Sequence, residues 1–168
     1  MSARQTHPFP PVWDERSRIL ILGSFPSVKS REEGFFYAHP QNRFWRVLAG
    51  LFGCETPQTV PEKKALLLAR GVALWDTIAS CEITGSSDQS IRGAVPNDLS
   101  PILAGAPIAG IFCNGALSWQ LYRQYLEPQT GRPAGKLPST SPANAAWQLD
   151  RLLDAWRVIL PVLGQESC

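Results

Sequence analysis

A chain of 168 residues, 44% hydrophobic and 18% charged, is long enough to bury one core and too short for two, and it is too apolar to stay unfolded. No apolar run approaches the roughly 20 residues of a bilayer span, and Met1–Pro11 lacks the basic stretch and apolar core of a secretion signal. These absences point to a single cytoplasmic domain over residues 1–168, with its core at about 18–158 and no membrane partner, and a monomer is expected.

The formal charge of +2 permits a nucleic-acid partner without arguing for one, since that inference needs a clustered basic face. Cys54, Cys81, Cys113 and Cys168 are widely spaced, and His7 and His39 are the two histidines of the whole chain. No metal, disulfide scaffold or cofactor is expected from so sparse a ligand set.

Arg18–Gly23 is an apolar run closed by glycine and followed by Ser24-Phe-Pro-Ser27, the pattern of a buried strand entering a tight loop. Phe44, Val47, Leu48 and Leu51 recur at helical spacing and predict a helix from about Arg43 to Leu51. A second helix is expected over Pro61–Arg70, with proline in its first turn. Val72–Trp75 and Ile108–Cys113 have the length and composition of interior parallel strands. Ala116–Leu126 reads as a helix, Thr130–Pro142 as a loop, and Asn144–Val158 as a closing amphipathic helix with Trp147, Leu152 and Trp156 facing inward. Alternating strands and helices predict an α/β fold, a three-layer α/β/α sandwich around a mostly parallel sheet.

Three polar loops follow strand-like segments: Gly23–Ser30 extending to Asn42, then Asn114-Gly115, then Leu137–Asn144. In a parallel sheet such loops converge on one edge and wall a single site. Taken singly, each is as readily a plain turn as a phosphate loop.

All three loops, in order, resemble the motifs of the uracil-DNA glycosylase superfamily. Ile21-Leu-Gly-Ser-Phe-Pro-Ser27 stands at its first motif, and Gly34-Phe-Phe-Tyr-Ala-His-Pro-Gln-Asn-Arg-Phe-Trp45 is similar to the segment that follows in mismatch-specific members. Ile111–Gly115 resembles the base-reading strand end, and Leu137–Ala143 the Pro-Ser-Ser-Ser loop of thymine-DNA glycosylase relatives. The likeness covers about Arg18–Trp156. Phe25 stands where mismatch-specific members carry a water-positioning asparagine and the uracil-specific branch an aspartate. Phe25, the retained Asn42, and the segments Val72–Ile78 and Gly85–Ile91 together are most similar to the hypoxanthine-DNA glycosylase branch, where an asparagine in the second segment is catalytic.

That resemblance implies a DNA partner containing a deaminated base, which is flipped into a pocket and released by hydrolysis. Asn42 is the implied catalytic residue, positioning water without acting as a base of any strength. Phe25, Tyr37 and Asn114 are the implied base-binding residues. Ser24, Ser27, Ser139, Thr140 and Ser141 are implied phosphate contacts, with Pro142, Ala143 and Asn144 where relatives wedge the duplex. His39, Asp76 and Asp88 are possible supports for the water or the cationic sugar. Lys29, Arg31, Arg43, Arg46, Arg132 and Lys136 lie in or beside the loops and would gather positive charge at one edge.

Each residue also has a plainer role. Asn42 suits a helix N-cap, Asn114 a turn after a strand, Tyr37 the core, His39 the Ala-His-Pro turn, and Asp76 and Asp88 surface caps. Three other functions stay open: a mismatch-specific uracil/thymine enzyme, a catalytically weak DNA-binding relative, and a small-molecule hydrolase using Ser24 or Ser139 with His7 or His39. The last lacks a G-x-S-x-G elbow.

Overall fold

The computed structural model describes residues 3–164. Its first half runs β1 (Ala3–Thr6), β2 (Ile19–Gly23), α1 (Val28–Glu33), α2 (Phe44–Phe52), α3 (Val60–Arg70), β3 (Val72–Asp76) and β4 (Ile78–Ile83). The second half runs β5 (Arg92–Pro96), α4 (Ser100–Gly105), β6 (Gly110–Asn114), α5 (Ala116–Leu121), α6 (Glu127–Thr130), β7 (Gly135–Leu137), α7 (Leu149–Trp156) and α8 (Ile159–Val162).

β2 is buried along its whole length, and such a strand is stable only with both faces covered. It lies inside a parallel sheet of order β3-β2-β6-β7. Its side chains alternate between two cores. Ile19 and Ile21 pack with Phe44 and Leu48 of α2 and with Leu152 and Trp156 of α7, whereas Leu20 and Leu22 pack with Leu99, Ile102, Tyr122 and Leu126. The three layers expected from the sequence are therefore present, and their two apolar layers hold the strand ends in fixed register.

The helices form where local signals coincide. In α2, Phe44, Val47, Leu48 and Leu51 turn one buried face inward, and Gly53 ends the helix in the left-handed conformation. In α3, Thr59 and Glu62 cap each other's backbone in a capping box, with Pro61 in the first turn.

Several expectations need correction. β3 is an edge of the parallel sheet rather than an interior strand, although Val12 makes an isolated antiparallel bridge to Leu74. A short strand, β7, lies within the expected loop 130–142. The helix expected to reach Leu126 leaves α-geometry at Tyr122 and widens into a π turn through Leu126. Pro128 explains this, since it has no N–H for the carbonyl four residues back. The closing helix starts at Leu149, five residues later than expected, because 144–148 is a turn tied to other elements.

The core also exceeds 18–158. Phe9, Val12, Ile159, Leu160 and Leu163 belong to it, and a second, antiparallel sheet of order β1-β4-β5 has no counterpart among the expected elements. The chain passes from β3 into β4 through one residue, Thr77, whose N–H donates to Gly23 O at 2.8 Å. The two sheets thus meet where β2 and β3 end.

Candidate active site

Loops after β2, β3 and β6 open at one edge of the parallel sheet, the usual place for a ligand in such folds. They enclose a cavity of about 540 Å³. Phe25, Tyr37, Asn42, Asp76, Asp88, Asn114 and Ser139–Ala143 all line it, so the three sequence loops do converge. The volume is that of a small-molecule site.

Asn42 and Asn114 face this cavity and are joined through Thr140. Thr140 Oγ1 donates to Asn42 Oδ1 at 2.9 Å and accepts from Asn114 Nδ2 at 3.0 Å, while Thr140 N donates to Asn114 Oδ1 at 3.1 Å. Phe44 N also donates to Asn42 Oδ1, at 2.9 Å. Both acceptor sites of that oxygen are therefore filled, which leaves the Nδ2 hydrogens as what Asn42 offers. The N-cap of α2 is Arg43, one residue beyond the position expected from the sequence, so Asn42 is not the cap itself; its side chain ties down Phe44 N just before the helix while lining the cavity. Thr140 is fully buried, with its hydroxyl committed between two amides, which turns it away from the expected phosphate contact.

The loop carrying Thr140 is held by Arg43. Its guanidinium donates to Thr140 O at 3.4 Å, Ser141 O at 2.8 Å and Asn144 O at 3.2 Å, and also to Trp147 O. Asn144 Nδ2 reaches Ser139 O at 3.0 Å, and Ser139 and Ser141 hydroxyls accept from Ser141 N and Ala143 N. Ala143 stands exposed at the tip, with Pro142 before it. Gly115 adopts φ 98°, and a Cβ there would press on Ser139 at 3.2 Å, so glycine lets the loop close on β6.

Phe25 is buried in the wall beside Ile78, Cys81 and Ile83, with the Arg31 guanidinium 5.7 Å from its ring centre. Tyr37 has φ 50°, a left-handed conformation that a bulky side chain adopts only under constraint from its surroundings. One face of its ring stacks on Phe44 at 4.2 Å, and the residue lines the cavity. Burial, reinforced by the charge of Asp76, drives its phenol far above the usual range, with the Asn114 side chain opposing. It is a neutral hydroxyl, buried without a hydrogen-bond partner.

Asp76 is not a surface cap. It is buried at the end of β3, with Oδ2 2.7 Å from His7 Nε2. Outside the hydrolase alternative, sequence reasoning does not place His7 in the site. The signal available was slight: a histidine before proline, in a segment too short to read as a strand.

The 84–90 loop between β4 and β5 forms the last wall. Ser24 Oγ donates to Asp88 Oδ1 at 3.3 Å, Ser86 Oγ accepts from Val28 N at 2.9 Å, and Arg31 reaches Gly85 O at 2.6 Å. Asp88 is exposed at the mouth, yet enclosure by the surrounding walls raises its carboxyl above the usual range, with Asp76 adding and the Ser24 hydroxyl opposing. Ser27 caps α1 by accepting from Ser30 N at 3.2 Å. His39 Nδ1 accepts from Gln41 N at 3.1 Å, so this imidazole is held in its turn while also lining the cavity.

The expected positive edge is thinner than the sequence suggests. Arg43, Arg31 and Arg132 donate to backbone carbonyls, and Lys29 pairs with Glu33 at 3.2 Å. Arg46 and Lys136 remain exposed, Lys136 beside a second depression that shares Ser139, Ser141 and Ala143 with the first. No helix among the described residues is long and apolar enough to cross a membrane.

The family model for the uracil DNA glycosylase superfamily matches residues 10–160, and the chain belongs to that superfamily. It is 33% identical over 144 residues to a hypoxanthine DNA glycosylase of Methanosarcina acetivorans, covering 85% of this chain and 90% of the relative. A second relative of that name, from Methanosarcina barkeri, is 35% identical over 100 residues, covering 59% of this chain and 63% of the relative. The solution NMR structure of a Methanosarcina acetivorans protein superimposes with a TM-score of 0.79 at 31% identity, covering 94% of this chain and 97% of that one.

Proposed function

We propose that the chain is a monofunctional DNA glycosylase that releases hypoxanthine from deoxyinosine and leaves an abasic site. The observation that carries this is the pair of amides, Asn42 and Asn114, locked by Thr140 in the wall of one cavity. Two relatives named for hypoxanthine support the choice of base.

In this reaction the nucleotide leaves the stack and its base enters the cavity. A water oxygen bonds to C1′ as the C1′–N9 bond breaks. The electron pair of that bond departs with the base, the base gains a proton, and the water, having lost one, remains as the sugar hydroxyl. Charge develops on the leaving base, so fixed donors around it lower the barrier. Thr140 takes one N–H of Asn114, and the second, on the side of Tyr37, is the donor it would offer the base. Asn42 donates an Nδ2 hydrogen to the attacking water, fixing the oxygen while leaving a lone pair for C1′. It does not remove the proton.

Ser139 and Ser141 offer hydroxyl hydrogens to phosphates, and the small tip residue Ala143 favours bases that already pair poorly. The test is a set of oligonucleotides, each with one deoxyinosine, deoxyuridine or deoxyxanthosine, incubated with protein and then alkali. Strand scission at deoxyinosine is expected. An intact deoxyinosine strand overturns the assignment of base, and scission at deoxyuridine alone moves it to uracil.

A further inference from the structure

We propose that the depression beside the base cavity is a second nucleotide site, which holds the neighbour of the flipped nucleotide on the same strand, its phosphate toward Lys136 and its base against the Trp147–Arg151 pair. This rests on the reading of the first cavity as a base pocket. The depression has a volume of about 580 Å³, in the range of small-molecule sites. Ser139, Ser141 and Ala143 line both openings, so the serine loop is the ridge between them.

One stretch of its wall is positive. In β7, Leu137 is buried, and alternation along the strand turns Lys136 outward at the edge of the sheet. Its Nζ lies 5.3 Å from the centre of the Trp119 ring, and the Arg123 guanidinium lies 4.6 Å from the same centre. The indole is fixed, since Trp119 Nε1 donates to Ala134 O at 3.1 Å. Two exposed cations are thus gathered on one ring, and among the described residues neither is in an ion pair. A lysine that merely guarded the open edge of β7 would need no second cation beside it, whereas an anion relieves the repulsion between the two.

Another stretch is aromatic. Trp147 lines the depression, and the Arg151 guanidinium sits 3.8 Å from the centre of its ring, a contact distance. Bases stack on aromatic rings and on guanidinium planes with little regard to sequence. The platform is held rigid, because Trp147 packs against the core and its carbonyl accepts from the Arg43 guanidinium that also holds the serine loop.

Continuity identifies the occupant. Because Ser139 and Ser141 face both openings, a phosphate on their hydroxyls belongs to a strand that passes from one to the other, and the next nucleotide falls in the depression. Asp88 borders both openings as well, and its carboxylate turns phosphate away from that side and toward Lys136.

The experiment measures binding of DNA that carries a 2′-fluorinated deoxyinosine, which resists loss of the base, while single phosphates near it are replaced by neutral methylphosphonates. One position, on one flank, should weaken wild-type binding severalfold, as for the loss of an exposed ion pair, and Lys136→Ala should erase that penalty. A propanediol spacer in place of the neighbouring nucleotide on the same flank should weaken binding on the order of tenfold, as for the loss of one stacked base, and Arg151→Ala should erase most of it. Both side chains are exposed, and melting temperatures on the same preparations account for folding.

Equal penalties on both flanks overturn the proposal, as do penalties that survive in either variant. A coupling confined to phosphates of the opposite strand overturns it too. If uracil is the base released, the same walk around 2′-fluorinated deoxyuridine applies. Coupling in a protein that releases no base keeps this surface and overturns the base reading, and release of hypoxanthine without coupling does the reverse.

Discussion

Thr140 Oγ1 donates to Asn42 Oδ1 at 2.9 Å, joining the loop after β7 to the start of α2. With Phe44 N on the same oxygen, this contact fixes which end of the Asn42 amide reaches the cavity. A residue just before a helix has thereby become a rigid donor.

Two substitutions at Asn42 separate those roles. Asn42→Asp keeps an oxygen for Phe44 N and Thr140 Oγ1 but has no Nδ2 hydrogens. It should melt near the wild-type temperature and lose on the order of a hundredfold or more in single-turnover rate, as expected for an interaction made in the transition state. Asn42→Ala should lose that rate and also about 1 kcal/mol of stability from the lost hydrogen bonds of Phe44 N and Thr140 Oγ1. A destabilised Asn42→Ala protein with full activity per folded molecule removes Asn42 from the chemistry.

Arg43 and Lys136 are both basic and both beside the cavity, yet they should behave differently toward salt. The Arg43 fork is occupied by carbonyls of Thr140, Ser141, Asn144 and Trp147. Arg43→Lys cannot reproduce that geometry and should cost on the order of 2–3 kcal/mol, with the logarithmic salt slope of DNA binding unchanged. Lys136→Ala should leave melting nearly unchanged and lower the slope by roughly one, as for the loss of one phosphate contact. Melting curves and binding titrations across salt concentrations check both, and a reduced slope for Arg43→Lys would contradict its structural role.

Much of this architecture is legible in the sequence because periodicity reports burial. β2, α2 and α3 stand within a residue or so of their expected bounds, since an unbroken apolar run buries both faces of a strand and a 3.6-residue spacing lines one side of a helix. The three loops are legible too, because strand ends of a parallel sheet must converge. β1, β4 and β5 are not. β5, Arg-Gly-Ala-Val-Pro, has no buried residue, and its pairing with β4 shifts register twice, so neither composition nor alternation marks it. His7 is hidden for a related reason, since its partner Asp76 is 69 positions away. Arg43 resembles a phosphate ligand because charge is visible in a sequence and the carbonyls that occupy it are not.

The last prediction concerns Asp88, whose carboxyl is raised by enclosure at the cavity mouth and then by Asp76, against the pull of the Ser24 hydroxyl. A carboxyl with a higher pKa folded than unfolded binds its proton more tightly in the native state. Its favourable contribution is fully present below the unfolded pKa and is lost as pH rises through the folded one, so at neutral pH the ionised group opposes folding. Asp88→Asn removes that opposition and keeps an oxygen for Ser24 Oγ. The variant should melt above wild type near pH 7, and the difference should shrink as pH falls into and below the carboxylate range. DNA binding near pH 7 should tighten as well, since a negative charge leaves the face that meets phosphates. Melting temperatures of both proteins from acid to neutral pH, with binding titrations at matched salt, read the two effects independently. An Asp88→Asn protein less stable than wild type at neutral pH and equal to it in acid would mean that the ionised carboxylate's hydrogen bond from Ser24 outweighs its enclosure, and the direction assigned to this group would be wrong.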